Sequence, residues 1–238
     1  MTTPKTAMVL AAGMGMRMRP LTDHRPKPLV EVGGKPLIDH TLDRLGEAGV
    51  ETAVVNVHHF ADQMVEHLAR RSFPRVVISD ERAGLLDSGG GIAHASTLLG
   101  TDPIWVANID NVWIERGASA LGALAAAWDP AAMDICILLA ARADTYGYER
   151  PEGFLRDEAG RLTHSNSPDP LPPYNNIGFQ ILKPETLAGR TGSFSVVPIW
   201  KQLSAEGRLF GAVTNAEIIH VSDPAGVGVA DAALAGRR

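Results

Sequence analysis

The chain has 238 residues, of which 45% are hydrophobic and 21% charged, and a net charge of −5, values typical of one large or two small globular domains. Its single cysteine, Cys136, excludes an intramolecular disulfide and a zinc site built from cysteines. No stretch is apolar enough to span a membrane or serve as a secretory leader, and none is basic enough to indicate nucleic acid, so we expect a cytoplasmic protein.

The first 141 residues alternate between strand-like and helix-like patterns. Short apolar or β-branched runs predict strands over residues 7–12, 52–57, 75–79, 103–107 and 134–141. Apolar residues at helical spacing predict helices over 37–48, 60–68, 92–99 and 118–128. This alternation predicts an α/β fold with a doubly wound, mostly parallel, Rossmann-like sheet, whose ligands bind at the carboxyl ends of the strands.

The pattern changes after Ala141. A hairpin is predicted over 154–162, a strand over 176–182, a helix over 198–206, extended segments over 209–213 and 217–221, and an alanine-rich helix after Asp223. Residues 165–173 hold four prolines and are predicted to be irregular, either as a cover over a site or as a solvated loop. We interpret 142–238 as a smaller lobe grafted on the sheet within one domain, 1–238, rather than as an independent domain.

A glycine-rich loop, residues 13–17, follows the first predicted strand directly. Two glycines separated by one residue let the backbone approach a bulky group and turn its N–H groups inward. The region 17–27 has one acid, Asp23, and four basic residues: Arg17, Arg19, Arg25 and Lys27. A cationic glycine loop in an acidic protein favours binding of an anion, most simply a phosphate.

Two familiar phosphate loops do not fit these residues. A dinucleotide loop requires a third glycine where Met18 stands, and a P-loop requires Gly-Lys-Ser/Thr after its glycines. The wider pattern L-A-A-G-x-G-x-R-M-x-P-L-T, followed by P-K-P-L-V and K-P-L-I, runs from Leu10 to Ile38. It resembles the signature of the sugar-1-phosphate nucleotidyltransferases.

The resemblance implies that a sugar 1-phosphate oxygen attacks the α-phosphorus of a nucleoside triphosphate and releases pyrophosphate. Such a reaction depends mainly on positioning and charge stabilisation. The residues matching the family's triphosphate loop are Leu10, Ala11, Ala12, Gly13, Gly15 and Arg17, together with Lys27. The family lysine that contacts the reacting phosphates corresponds to Lys27, and the predicted catalytic residues are Arg17, Lys27 and Asp110.

The resemblance also implies a magnesium site. Residues 104–110 form an apolar run ending in N-x-D, and the aspartate of that family element holds the metal, so Asp110 is the predicted Mg²⁺ ligand. Relatives carry W-x-D-V-G-T-P-E near the carboxyl end, and His220 stands in place of its aspartate. Because imidazole is a poorer magnesium ligand than a carboxylate, His220 is a candidate for metal binding, for phosphate or water contact, or for packing alone.

Two further stretches resemble the family's base and sugar elements. Glu81 and the run D-S-G-G-G-I, residues 87–92, resemble the element that reads a pyrimidine base largely through backbone groups; Gly89 and Gly90 are predicted to let the backbone approach the nucleotide. Asn176 and Gly178 lie in a stretch resembling the sugar-pocket strand. Asn108 is the further predicted sugar contact. Residues 1–141 are therefore assigned to nucleotide binding, and 142–238 to the sugar-binding lobe and C-terminal helix.

Within this family, the compact length, D-S-G-G-G-I and the F-S-x-x-x-x-W run of residues 194–200 resemble the small N-acetylmuramate α-1-phosphate uridylyltransferases of cell-wall recycling. The resemblance implies UTP, an N-acetylmuramate 1-phosphate and Mg²⁺ as substrates and cofactor. Two alternatives remain open. One is another sugar or base, such as mannose 1-phosphate with GTP, and the other is a regulatory homologue that senses nucleotide sugars.

Overall fold

A nine-stranded mixed sheet forms the centre of the computed structural model, which describes residues 3–236. The domain interpretation of 1–238 extends to residues 1–2 and 237–238, which lie outside the described residues. The strands are β1 (Thr6–Leu10), β2 (Glu31–Val32), β3 (Lys35–Pro36), β4 (Thr52–Val57), β5 (Arg75–Asp80), β6 (Ile104–Asn108), β7 (Asn111–Ile114), β8 (Ile135–Ala141), β9 (Thr145–Tyr146), β10 (Gly153–Arg156), β11 (Leu162–Ser165), β12 (Tyr174–Leu182), β13 (Leu209–Thr214) and β14 (Glu217–His220). The helices are α1 (Leu37–Glu47), α2 (Ala61–Leu68), α3 (Asp87–His94), α4 (Ser96–Leu99), α5 (Ala120–Ala127), α6 (Val197–Ala205) and α7 (Pro224–Ala235).

The sheet runs in the order β11-β10-β12-β6-β1-β4-β5, and β8 pairs with both β12 and β13. Strands β6, β1, β4 and β5 are parallel, as are β8 and β13, whereas β12 is antiparallel to its neighbours β6 and β8. The predicted α/β fold with a largely parallel sheet is therefore confirmed, with β12 inserted in the opposite direction. Because β1 and β6 are parallel neighbours, the residues after both strands meet at one edge of the sheet.

Successive residues of the strands face opposite sides of the sheet and pack against different helices. Ala7 and Val9 belong to a core shared with α1, α2, α5 and α7, whereas Met8 belongs to a second core with α3, α4 and α6. The alternation follows from the two-residue period of a strand. Both faces are thus covered, as the nearly continuous apolar runs of parallel strands require.

The predicted helix at 92–99 is found, but it begins five residues earlier and is interrupted at Ala95. The structure has α3 at Asp87–His94 and a short α4 at Ser96–Leu99, so the three glycines 89–91 lie inside a helix rather than before one. The other predicted strands and helices of the sheet domain are found within a few residues, and residues 166–173 carry neither helix nor strand. None of the helices within residues 3–236 has the length and apolarity needed to cross a bilayer.

A small sheet that sequence patterns did not predict lies beside the main one. It has the order β7-β14-β9, and its antiparallel register pairs Asn111 of β7 with His220 of β14. After β14 the chain turns into α7, which Pro224 begins and the Asp223 carboxylate caps by accepting from the N–H of Gly226 at 2.8 Å. The small sheet therefore fixes His220 next to the residues that follow β6.

Candidate active site

Two adjoining cavities lie at the carboxyl edge of the parallel strands. The loop cavity, of about 620 Å³, is bordered by the segments after β1, β5 and β6. The lobe cavity, of about 610 Å³, is bordered by residues 146–154, 175–176, α6 and the start of α7. Arg17 and Ser222 border both cavities. A ligand with two connected parts therefore finds two compartments that share a basic side chain at their junction.

Most of the residues predicted from the sequence gather around these cavities. The loop cavity is bordered by Leu10, Ala11, Ala12, Gly13, Gly15, Arg17, Lys27, Glu81, Asn108 and Asp110. The lobe cavity is bordered by Asn176 and His220. Three predicted residues border neither cavity: Gly89, Gly90 and Gly178. Asn108, predicted as a sugar contact, lies on the loop side.

The glycine loop after β1 is folded back on itself. Gly15 has a φ of +61°, and a Cβ there would lie 3.0 Å from Cβ of Lys27. The Thr22 hydroxyl donates to the Gly15 carbonyl at 2.8 Å and ties the returning chain to the loop. Glycine is therefore required at position 15 both for the left-handed conformation and for close packing against Lys27.

Only some backbone N–H groups of the glycine loop are available to bind a ligand. The N–H of Ala11 donates to Asn56 Oδ1 at 2.6 Å, so it is already satisfied inside the protein. No hydrogen bond found within residues 3–236 uses the N–H of Gly13 or Met14. A Cβ at Gly13 would have nothing within 4 Å, so this part of the loop faces open space. The donors available to an anion therefore come from the segment that begins at Gly13.

Lys27 and Asp110 form an ion pair at the border of the loop cavity. Lys27 Nζ lies 3.0 Å from Asp110 Oδ2, and the two side chains are only 12% and 22% exposed. Burial by itself raises the pKa of Asp110, but the charge and hydrogen bond of Lys27, together with His220, outweigh it and hold that pKa below its ordinary value. Asp110 is therefore an ionised carboxylate at neutral pH.

The other oxygen of Asp110 has properties that suit a metal ligand. Asp110 Oδ1 is buried and has no hydrogen-bond partner among the described residues. No group of three or more His, Cys, Asp or Glu side chains within 3–236 is arranged to hold an ion. Mg²⁺ commonly uses one or two carboxylates and takes its remaining ligands from water and substrate phosphates. The donor set therefore fits a magnesium ion that arrives with a phosphate substrate, and it does not fit a site made by protein alone.

Hydrogen bonds around Asn111 define which nitrogen of the His220 ring carries the proton. Asn111 Nδ2 donates to the Ile177 carbonyl at 3.0 Å, which fixes Asn111 Oδ1 as the acceptor. That oxygen accepts from the Tyr148 hydroxyl at 2.7 Å and lies 3.3 Å from His220 Nδ1, so Nδ1 carries the proton in this contact. Burial lowers the pKa of His220, and Lys27 and Arg17 lower it further against the opposing effect of Asp110. The ring is therefore neutral, and its Nε2 is an acceptor that forms no hydrogen bond within residues 3–236. This disfavours the interpretation of His220 as a cationic phosphate contact.

Tyr148 completes this group. Its ring lies 5.0 Å from the His220 ring, centre to centre. Burial first, and then the charge of Asp110, raise the pKa of Tyr148 well above its ordinary value, so its hydroxyl remains a donor to Asn111. Tyr148 stands in no motif, and Asn111 lies in the candidate stretch 108–111 but received no role from the sequence, because the meeting of the two residues depends on the small sheet.

A second buried polar group lies below the glycine loop. Asn56 Nδ2 donates to Glu81 Oε1 at 2.8 Å, while Asn56 Oδ1 accepts from Ala11. The second oxygen of Glu81, Oε2, is buried without a partner among the described residues, although Glu81 borders the loop cavity and is only 2% exposed. Asn56 was missed by sequence reasoning; an amide within the β-branched run 52–57 was the available signal.

The glycines of α3 pack against another segment of the chain. A Cβ at Gly89 would lie 2.5 Å from the Phe194 ring, and a Cβ at Gly90 would overlap the Gly192 carbonyl. The N–H of Gly90 donates to the Phe194 carbonyl at 3.0 Å, and the N–H of Phe194 donates to the Leu86 carbonyl at 3.1 Å. The predicted backbone approach exists, but it is made to the chain's own segment 192–194. Neighbouring Asp87 and Ser88 border the loop cavity instead.

Gly178 is also explained by internal packing. It has a φ of +81°, and a Cβ there would lie 2.9 Å from Cβ of Asn108 and 3.1 Å from Nδ2 of Asn111. The N–H of Gly178 donates to Asn176 Oδ1 at 2.8 Å. Gly178 thus lets β12 approach the end of β6, and Asn176 alone of this pair borders the lobe cavity.

Asn175 leaves an unused acceptor beside the lobe cavity. The Thr145 hydroxyl donates to the Arg142 carbonyl at 2.8 Å, so it can only accept from Asn175 Nδ2, 2.7 Å away. This fixes the Asn175 amide and leaves Oδ1 buried, with no partner among the described residues. Asn175 borders the lobe cavity beside Asn176. The sequence offered no signal that distinguished it from its neighbour.

The family model and the similar proteins found by comparison all point to nucleotidyltransferases. Residues 7–160 match the family model described as a MobA-like NTP transferase domain. The chain is 51% identical over 238 residues, 98% of both chains, to an N-acetylmuramate alpha-1-phosphate uridylyltransferase of Caulobacter vibrioides. It is 37% identical over 109 residues to the catalytic subunit beta of a mannose-1-phosphate guanylyltransferase of Drosophila melanogaster, covering 44% of this chain and 29% of the relative. These 109 residues amount to less than half of the chain, whereas the bacterial relative matches nearly all of it.

Comparison with solved structures finds the same fold in a known protein. A solved UDP-glucose pyrophosphorylase, crystallised with UDP-glucose, superposes with a TM-score of 0.81 at 18% identity and covers 99% of this chain and 100% of its own. At this identity the likeness is evidence for the fold alone. It shows that the grafted lobe as well as the parallel half has a counterpart in that structure.

Proposed function

The chain belongs to the MobA-like NTP transferase family, and we propose that it transfers the uridylyl group of UTP to N-acetylmuramate α-1-phosphate, giving UDP-N-acetylmuramate and pyrophosphate. The observation that carries the proposal is 51% identity over 98% of the chain to an enzyme of that name. The Lys27–Asp110 pair at the edge of the sheet favours an enzyme over a regulatory homologue. The product is a peptidoglycan precursor, so the reaction fits recycling of the cell wall.

In this proposal the loop cavity holds the nucleotide. The free N–H groups that begin at Gly13 bind the triphosphate, and Arg17 adds a positive charge at the junction with the lobe cavity. Lys27 exchanges its contact with Asp110 for the α-phosphate as charge develops there. The sugar phosphate oxygen forms a bond to the α-phosphorus while the bond to the pyrophosphate oxygen breaks. Positioning and charge stabilisation by these groups supply most of the rate.

Asp110 is the residue we assign to magnesium. Its unpartnered Oδ1 supports this role, and a bound Mg²⁺ would neutralise charge on the phosphates. His220, neutral and held by Asn111, presents an acceptor nitrogen to the same region rather than a second carboxylate. We assign it to accepting a hydrogen bond from water or a substrate hydroxyl.

The lobe cavity holds the sugar in this scheme. Asn176 borders it, and so do the aromatic residues Tyr148, Phe154 and Trp200. With the exception of Arg17, the residues that border this cavity all lie beyond residue 145. This supports the division of one domain into a nucleotide-binding half, 1–141, and a sugar-binding lobe, 142–238.

The test is pyrophosphate release with every combination of UTP, CTP, GTP and ATP against N-acetylmuramate, N-acetylglucosamine, glucose and mannose 1-phosphates, in the presence of Mg²⁺. We expect the highest kcat/KM with UTP and N-acetylmuramate 1-phosphate. Equal or faster turnover of GTP with mannose 1-phosphate would instead support the guanylyltransferase alternative. The absence of pyrophosphate release in every combination would favour the regulatory alternative.

A further inference from the structure

One basic side chain of the lobe cavity has no part in the proposed reaction. Arg17 and Arg150 are the arginine or lysine residues, among those described, that border this cavity. Arg17 also borders the loop cavity, which places it beside the phosphates. Arg150 borders the lobe cavity alone and is exposed at its mouth.

The guanidinium of Arg150 has no partner within residues 3–236, where it forms neither an ion pair nor a hydrogen bond. Two of the three acids around the cavity are engaged: Glu152 Oε1 lies 2.9 Å from His164 Nε2, and Asp223 caps α7. The third, Glu149, is exposed and forms no ion pair with Arg150. Among the described residues, Arg150 is therefore a cation without a partner at the sugar side of the site.

The main chain that carries Arg150 is held in place by a second arginine. The Arg142 guanidinium donates to the carbonyls of Tyr148, Arg150 and Glu152 at 3.3, 3.2 and 3.1 Å. Its Nε donates to the Pro172 carbonyl at 3.0 Å. One side chain thus joins the 148–152 segment to the proline-rich segment, so Arg150 projects from a fixed wall rather than from a free loop.

The proposed sugar phosphate has a group that needs such a cation. N-acetylmuramate differs from N-acetylglucosamine by a lactyl ether, which ends in a carboxylate. Arginine binds carboxylates through paired N–H donors and remains charged at all relevant pH values. On the basis of the proposed function, we infer that Arg150 binds this carboxylate and selects the acid-bearing sugar phosphate over its neutral counterpart.

The test compares two acceptors that differ only in the lactyl group, N-acetylmuramate 1-phosphate and N-acetylglucosamine 1-phosphate, with UTP saturating. Wild type, Arg150→Ala, Arg150→Glu and the control Arg70→Ala are assayed for kcat and KM toward each acceptor. Arg70 is an exposed arginine just after α2 that borders neither cavity and pairs with Glu66. The measured quantity is the ratio of kcat/KM for the acidic over the neutral acceptor.

We expect Arg150→Ala to lower this ratio about tenfold or more, because hydrogen bonds to a charged group are among the stronger ones. The loss should appear in the KM for the acidic acceptor, while the neutral acceptor and UTP are little affected. Arg150→Glu should lower the ratio further, and Arg70→Ala should leave it unchanged. In wild type the ratio should fall as salt is raised, since the contact lies at an exposed mouth.

An unchanged ratio in Arg150→Ala would overturn the inference while leaving the proposed function intact. If kcat/KM also fell equally with both acceptors, Arg150 would be assigned to the shape of the wall. A wild type that uses the neutral acceptor and rejects the acidic one would overturn both. The wild-type assay alone therefore distinguishes failure of the proposed function from failure of the inference.

Discussion

Lys27 Nζ lies 3.0 Å from Asp110 Oδ2, and this contact joins the loop after β1 to the residue that follows β6. The two strands are parallel neighbours in register, Leu10 beside Asn108. The pair therefore has both a structural and a chemical part. Lys27 neutralises a carboxylate that burial would otherwise destabilise, and the same two groups are those we assign to the phosphates and the metal.

The first prediction separates these two parts by a double-mutant cycle. Lys27→Met leaves the Asp110 carboxylate without its cation, and we expect it to lower the free energy of unfolding by about 1–3 kcal/mol, less than for a fully buried pair. Asp110→Asn should also be destabilising, but the double variant should lose less than the sum of the two. Urea unfolding in EDTA measures all four proteins.

The kinetic control is the kcat of the same four proteins. The double variant should recover stability without recovering turnover, since removal of one preorganised donor typically costs about 10²–10³ in kcat. Additive losses of stability would mean that the two residues are not directly coupled. An unchanged kcat in folded Lys27→Met would remove Lys27 from the mechanism.

The second prediction concerns the base. Glu81 Oε2 is a buried acceptor, without a partner among the described residues, beside the loop cavity, and uracil has an N3–H donor where cytosine has a bare nitrogen. Glu81→Gln should therefore lower the UTP-over-CTP ratio of kcat/KM by about tenfold or more, because the amide can donate to cytosine N3. Asn56 Nδ2 bonds Oε1, so the substitution retains that contact through the amide oxygen.

The control for the prediction about the base is the KM for the sugar phosphate. Its KM should be the same in wild type and Glu81→Gln, because Glu81 does not border the lobe cavity. A UTP-over-CTP ratio that stays constant while both triphosphates weaken would show that Glu81 only supports Asn56 and the glycine loop.

Sequence patterns predicted the main sheet well because each of its central strands carries its own signal. The β-branched run of β4 and the apolar run of β8 fill buried positions on both faces, and the short length of such runs, rather than periodicity, distinguishes them from helices. The glycine loop, Lys27 and Asp110 were also predicted, because the resemblance spans contiguous residues whose positions relative to β1 and β6 are fixed by the fold.

What could not be predicted depends on contacts between distant segments. The run of glycines in α3 indicated a close approach, but the sequence could not say that Phe194, rather than a ligand, fills the space. The group of Asn111, Tyr148 and His220 likewise exists only because β7 and β14 pair in one register. β7 is short and begins soon after β6 ends, so it has no periodic signal of its own in the sequence.

The third prediction tests the packing role of Gly89. Gly89→Ala places a methyl group against the Phe194 ring and 3.0 Å from its carbonyl oxygen, so we expect a loss of stability and displacement of segment 192–194. Gly228→Ala is the matched control, since Gly228 also lies within a helix but a methyl group there would have nothing within 4 Å. The control should be neutral or stabilising by up to about 1 kcal/mol.

Adding Phe194→Ala to Gly89→Ala should recover part of the stability, because the ring is the closer of the two obstacles. Thermal unfolding and limited proteolysis of the segment measure the effect. If Gly89→Ala retains its stability but loses affinity for UTP, the interpretation of Gly89 as a nucleotide-approach residue is the better one.

The last prediction concerns the pH dependence of His220. Burial favours the neutral ring, so the folded pKa lies below the ordinary value of 6.5, and the unfolded chain takes up the proton at the higher pH. Stability from this site is therefore complete above about 6.5 and decreases as the pH falls through that value toward the lower folded pKa. In EDTA, the melting temperature of wild type should fall more between about pH 8 and pH 5.5 than that of His220→Gln.

His40, whose pKa burial also lowers, is present in both proteins and cancels in this comparison. The activity of wild type should persist as the pH falls to about 6.5, because the neutral ring with its proton on Nδ1 is the form that Asn111 holds. A cationic phosphate contact predicts the reverse: affinity for the sugar phosphate would rise as the pH falls, and His220→Gln would abolish the rise. The interpretation of His220 as a neutral ring would be wrong if the stability of the two proteins depended equally on pH and affinity for the sugar phosphate rose as the pH fell. His220 would then act as a charged ligand, and Asn111 would accept only from Tyr148.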